Sequence, residues 1–184
     1  MVIDVELPKR KNIRLQGYDY SQNGYYYITI CTNNRQHLFG EIISVVGDGL
    51  SVPIIELNEN GKIIDEYIKN VAIKYENVKI DKYIIMPNHV HIILVNSNYE
   101  NGLETQNGTG NPSPTIGMII GWLKYQTTKC INDINENGLL KIWQRSYHDH
   151  IIRNVQKYQK ICKYIETNPL KWQNDCYYKD CMYD

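Results

Sequence analysis

The order in which two hydrophobic periods follow one another along the chain constrains its fold more than any other feature. "GYYYITICTNNR" (Gly24 to Arg35) is rich in β-branched and aromatic residues and stops at an Asn-Asn pair, as a strand does. From Asn58 to about Tyr75, Ile63, Ile64, Tyr67, Ile68, Val71 and Ala72 recur at the spacing of an amphipathic helix. "VKIDKYIIMPNHVHIILV" supplies two further strands hinged near Pro87 and Asn88, residues suited to a turn. A second helix is predicted from about Thr115 to Asp133, with Ile116, Ile119, Ile120, Leu123 and Thr127 on one side and Thr115 as its cap. "KIWQRSYHDHIIR" reads as a strand, and Asn154 to Asn168 as a third helix that Pro169 ends. Strand, helix, strand, strand, helix, strand, helix is the split βαβ order of an α+β, ferredoxin-like sandwich with an antiparallel sheet and one extra C-terminal helix. Two segments lie outside this order. "FGEIISVVGDGLSVPIIELNENG" looks like a hairpin whose apolar runs are separated by Gly47, Asp48 and Gly49, and "NSNYENGLETQNGTGNPSPT" looks like a surface loop.

At 184 residues the chain has room for one domain, with a core over about 18–172, a basic N-terminal extension over 1–17 and a C-terminal tail over 173–184. A hydrophobic share of 42% with 22% charged residues is globular, and no apolar run approaches the roughly 18 residues of a membrane span. The N-terminus lacks the basic-then-apolar arrangement of a secretory signal, which predicts a cytoplasmic protein. Twenty acidic and twenty basic residues cancel, so nucleic-acid binding has to come from local patches such as Lys9, Arg10, Lys11 and Arg14. Cys31, Cys130, Cys162, Cys176 and Cys181 match no zinc pattern and read as reduced thiols.

Within "MPNHVHIILV" a strand's alternation sends His89 and His91 to one face and Val90, Ile92 and Leu94 to the other. Two imidazoles about 6 to 7 Å apart along a strand can share one divalent metal, or can merely hydrogen-bond at a sheet surface. His148 and His150 repeat the spacing, but Asp149 between them suits an exposed edge, where His150 could still line a site. On the third helix, Tyr158, Ile161, Cys162 and Ile165 form the expected buried stripe. Tyr164 then shares another face with Lys157, Lys160 and Asn168, and residues four apart on that face converge. It is either a catalytic tyrosine or one exposed tyrosine among 16.

"GYDYSQNGYYYITICTNNRQHLFGEI", "MPNHVHIILV", "PTIGMIIGWLKYQTTKCIN" and "IWQRSYHDHIIRNVQKYQKICKYIETNPLKW" together resemble the REP-associated branch of the single-tyrosine insertion-sequence transposases, within the HUH endonuclease superfamily. The resemblance runs from about Lys9 to Trp172. His89, Val90 and His91 match the motif behind the family's name, and "YIETNP" matches its Tyr-Ile-x-x-Asn-Pro pattern. The resemblance implies that Tyr164 is the nucleophile and that His89, His91 and Asn168 hold Mg²⁺ or Mn²⁺. It implies cleavage of single-stranded DNA by transesterification through a 5′-phosphotyrosine link, in DNA transposition. The implied partner is a hairpin or imperfect palindrome of single-stranded DNA, and the implied assembly a monomer or a homodimer. On this reading Lys9, Arg10, Lys11, Arg14, Lys124 and Lys129 are expected to hold phosphates, and Trp143 and Tyr147 to stack on bases. His150, Lys157 and Lys160 complete the expected DNA contacts, and the metal, one of these two lysines or a water is expected to help remove the Tyr164 proton. The rivals are an inactive single-stranded nucleic-acid-binding module of the same fold and a metal-dependent hydrolase that ignores Tyr164.

Overall fold

The computed structural model describes residues 17–47, 50–97, 99–100, 103–104, 114–135 and 138–178. Lys9, Arg10, Lys11, Arg14 and Cys181 lie outside the described residues. In chain order the elements are β1 (Gly24–Cys31), β2 (Gly40–Gly47), β3 (Leu50–Leu57), α1 (Glu59–Lys74), β4 (Val78–Met86), β5 (His89–Asn96), β6 (Tyr99–Glu100), β7 (Leu103–Glu104), α2 (Ile116–Ile134), β8 (His148–Ile152) and α3 (Val155–Glu166). Two 3-10 segments, Asn33–Arg35 and Pro169–Asn174, follow β1 and α3.

Strands β1, β4, β5 and β8 form one antiparallel sheet in the order β4-β5-β1-β8. The two halves of the chain interleave in it, and the fold is the expected α+β ferredoxin-like sandwich. The hairpin expected around Gly47 is present as β2 and β3, paired to each other in a separate two-stranded sheet. The stretch read as a surface loop contains the short β6–β7 pair.

Period-two alternation in the central strands gives the sheet two different faces. Tyr26, Ile28 and Ile30 of β1 and Val90, Ile92 and Leu94 of β5 enter the main core, closed over by Ile64, Ile68 and Val71 of α1 and Ile116, Ile119, Ile120 and Leu123 of α2. The helices start where side chains replace their missing backbone acceptors: Asn58 accepts from Gly61 N, Thr115 from Met118 N and Asn154 from Lys157 N. Thr115 is thus the cap that its sequence position predicts. Gly61, in the first turn of α1, is needed for close approach, because a Cβ there would meet Phe39 O at 2.1 Å.

On the other face of the sheet α3 packs through a smaller cluster of Ile93, Ile152 and Ile165, with Tyr27, Ile84, Tyr158, Ile161 and Cys162 around it. The expected stripe of α3 is therefore its packed face. Replacing Ile165 with alanine is expected to cost about 2–4 kcal/mol in urea unfolding, because the cavity falls in the apolar cluster that packs α3 on the sheet. A cost below about 1 kcal/mol would show that something else retains the helix.

Two sequence expectations shift. The strand expected over 141–153 begins only at His148, with Lys141 to Tyr147 irregular and tied to the end of β1 by a single bridge between Thr32 and Trp143. Consecutive Ile142 and Trp143 are both buried, which a half-buried strand with alternating faces does not allow. The third helix ends at Glu166 rather than Asn168, and Pro169 opens the next 3-10 segment, where its missing N–H costs nothing.

Candidate metal and tyrosine site

His89 and His91 project from central strand β5, opposite Cys31 and Thr29 of β1, onto the face covered by α3. Their rings lie 4.5 Å apart, centroid to centroid, and they are 0% and 1% exposed. Asn88 sets the tautomer of the first. Its amide nitrogen donates to Arg35 O and Tyr177 O, so its oxygen faces His89 Nδ1 at 2.8 Å. A carboxamide oxygen only accepts, hence Nδ1 carries the proton and Nε2 presents a lone pair. His91 Nδ1 is held by the hydroxyls of Thr29 at 2.9 Å and Tyr27 at 2.8 Å. Burial keeps both rings neutral, pushing His91 down to about 4 and His89 well below its ordinary value, with the neighbouring His91 adding to the effect on His89.

Both Nε2 atoms are buried without a hydrogen-bond partner, and so is Asn168 Oδ1. A buried polar atom without a partner is costly, and a divalent cation held by the two deprotonated Nε2 atoms removes that cost. The residues present therefore fit a metal. One oxygen of Asp175 also belongs to the group, since its ligating atoms and those of His89 and His91 lie within 4.8 Å of one another. Among the described residues this is the one such cluster of His, Cys, Asp and Glu, and the cysteines Cys31, Cys130, Cys162 and Cys176 are free thiols outside it.

Tyr164 leaves α3 beside this point. Its ring sits 5.2 Å from that of His91, and its hydroxyl donates to Asp175 Oδ2 at 3.0 Å. Asn168, 1% exposed at the start of the Pro169–Asn174 segment, donates from Nδ2 to the same oxygen at 3.0 Å. Burial and the Asp175 charge raise the Tyr164 pKa further above the ordinary phenol range.

A roof accounts for the near-zero exposure of the histidines. Tyr177 stacks over His89 with centroids 4.5 Å apart, and Trp172 adds a second ring 5.9 Å from it. Arg35 pins the roof, donating to Cys176 O at 2.9 Å with its guanidinium 5.3 Å above the Tyr177 ring. Asp175, Tyr177, Asn88 and Arg35 were not identified from sequence as site residues. Asn88 carried only a turn signal, and the others carried none.

The expected DNA-contacting residues scatter. Trp143 is 5% exposed and donates its indole N–H to Thr127 Oγ1, which makes it a core residue in place of the expected stacking platform. Tyr147 is half-buried against the main core. The Lys124 ammonium is occupied by the carbonyls of Gln144 and Arg145, so it braces the irregular segment before β8. Lys129 is exposed and lines a groove of about 410 Å³ with Lys141 and Arg145. Lys157 and Lys160 are exposed on α3. His148 and His150 pair with Thr29 and Tyr27 on edge strand β8, which puts both exposed imidazoles on the same face as His91.

The fold is that of the REP-associated tyrosine transposase solved bound to a REP hairpin, which matches with a TM-score of 0.56 and 21% identity over 86% of this chain and 73% of that one. A protein of Deinococcus radiodurans R1 described as a transposase matches with a TM-score of 0.44 and 15% identity, covering 84% of this chain and 95% of that one. The chain belongs to one family with an uncharacterized protein of Haemophilus influenzae, to which it is 34% identical over 179 residues, 93% of this chain and 94% of the relative. No family model matches the sequence. Among the described residues, no helix is long and apolar enough to cross a membrane.

Proposed function

We propose that this protein is a cytoplasmic, metal-dependent transposase that nicks and rejoins single-stranded DNA at hairpins through Tyr164. The observation that carries the reading is the pair of buried, unpartnered Nε2 atoms of His89 and His91 with Asp175 in the same cluster and both Tyr164 and Asn168 hydrogen-bonded to that carboxylate. In this role the two histidines, Asn168 and one Asp175 oxygen hold Mg²⁺ or Mn²⁺. When bound, the ion offsets the charge that develops on the scissile phosphate. The Tyr164 oxygen attacks phosphorus, forming a 5′-phosphotyrosine and releasing a 3′-hydroxyl that later attacks the link to rejoin strands. Asp175, already accepting the phenol's hydrogen bond, is placed to receive its proton. A single chain supplies both tyrosine and histidines, which favours a monomer acting in cis.

The binding-module rival has no use for a cage of unpartnered ligand atoms, and the hydrolase rival has none for the tyrosine. The decisive experiment is incubation of the protein with single-stranded hairpin DNA from the flanks of its own gene and Mn²⁺, followed by denaturing electrophoresis. A covalent protein–DNA band supports the proposal, and hairpin binding without one supports the rival module.

A phosphate cannot reach nearly unexposed histidines while the Tyr177 ring lies across them, so substrate entry moves that ring aside and leaves Asp175 in place. Arg35→Ala removes the anchor at Cys176 O and the contact over Tyr177. Its initial cleavage rate is expected to rise severalfold in a gel time course. A lower rate would mean that Arg35 and the Tyr177 ring are themselves needed in the working site.

A further inference from the structure

The β2–β3 hairpin lies outside the sandwich, and the role proposed for the site does not use it. Its base nevertheless forms one wall of a groove of about 540 Å³, within the usual size of small-ligand pockets. Glu41, Ile42, Ser44 and Pro53 come from the hairpin, and Trp172 and Tyr178 face them from the C-terminal segment. Trp172 joins this groove to the proposed catalytic site. Its ring lies 5.9 Å from His89, while His37 and Tyr178 lie 5.6 and 5.3 Å from it. His37 and Tyr178 are exposed, so their faces are open to a flat ligand.

We infer that this groove binds one unpaired nucleobase of the DNA strand next to the scissile phosphate, and that Glu41 selects a base carrying an exocyclic amine, cytosine, adenine or guanine, over thymine. The inference rests on the function proposed above, since a base within one nucleotide of the cut is tethered beside His89 when its phosphate is bound there. Aromatic side chains give sequence-tolerant stacking on any base. The choice among bases falls to the polar group at the groove's edge. A carboxylate accepts from the amine of cytosine, adenine or guanine and repels the O4 of thymine. Glu41 has no salt-bridge partner among the described residues and stands directly opposite Glu56 across the hairpin. Like charges so placed destabilise a strand pair, and a bound amine relieves that repulsion.

The test places 2-aminopurine, whose fluorescence falls on stacking, at each position within two nucleotides of the mapped cut. The Tyr164→Phe protein is used so that the DNA stays intact. Quenching is expected at one position, and it should be lost when Tyr178→Ala is added, a change at an exposed ring that spares the core. In parallel, adduct formation by otherwise wild-type protein is compared on oligonucleotides carrying each base at that position. Cytosine, adenine and guanine should each exceed thymine about tenfold, and Glu41→Gln should level the preference. Adduct formation with no position-specific quenching, or with equal use of all four bases, overturns the groove's role and leaves the proposed function standing. Absence of any adduct removes both.

Discussion

A Tyr164→Phe protein is expected to form no covalent DNA adduct and to cleave at least about a thousandfold more slowly than wild type, because no other group replaces the attacking oxygen. The substitution removes one hydrogen bond, from the hydroxyl to Asp175, and leaves the ring against His91. Its stability change should therefore stay near 1 kcal/mol. Tyr164 lies beside the ligand cluster, and the substitution keeps its ring and changes no charge. Hairpin affinity in a mobility-shift assay should accordingly be unchanged. Retention of most cleavage activity would show that water is the nucleophile and that the protein is a hydrolase.

Removing an imidazole should abolish cleavage as completely, and it has a signature that does not depend on DNA. Mn²⁺ should raise the melting temperature of wild-type protein, since it binds the folded site and not the unfolded chain, and should leave that of His91→Ala nearly unchanged. The donor set mixes imidazole nitrogen with oxygen, which is softer than Mg²⁺ prefers, so Mn²⁺ should support the faster reaction. The metal-free protein should also be acid-sensitive. An unfolded chain protonates its histidines from about pH 6.5 downward, whereas folded His91 resists protonation to about pH 4. Across that window the unfolded state binds more protons, so stability is intact above the window and falls with pH by about 1.4 kcal/mol per unit for this residue. Chemical denaturation at pH 7 and pH 5 with a chelator present tests the sign. Equal stability at both would mean that the histidines are already charged or accessible in the folded protein.

Most of the secondary structure was legible because it depends on neighbours in sequence. Asn58, Thr115 and Asn154 cap helices through backbone groups three residues on, and α1 starts and stops within a residue of its predicted limits. The segment before β8 failed as a strand because the indole of Trp143 finds its partner on α2, a contact that no local pattern encodes. Stacking by Trp143 was wrong for the same reason.

The site divides along the same line. Alternation in β5 places His89 and His91 on one face of the sheet, and the spacing of α3 places Tyr164 beside its buried stripe; the family resemblance joined the two, and the packing of α3 on that face brings the Tyr164 ring against His91. Asp175, Tyr177 and Arg35 belong to the site through contacts that bridge distant parts of the chain, such as Arg35 to Cys176 O across 141 residues and Asn88 to Tyr177 O across 89. A tail with no hydrophobic period carries no sign of where it docks. Its place over the histidines is chosen by the hydrogen bonds and ring contacts available after the sheet has formed, and those exist only in the folded chain.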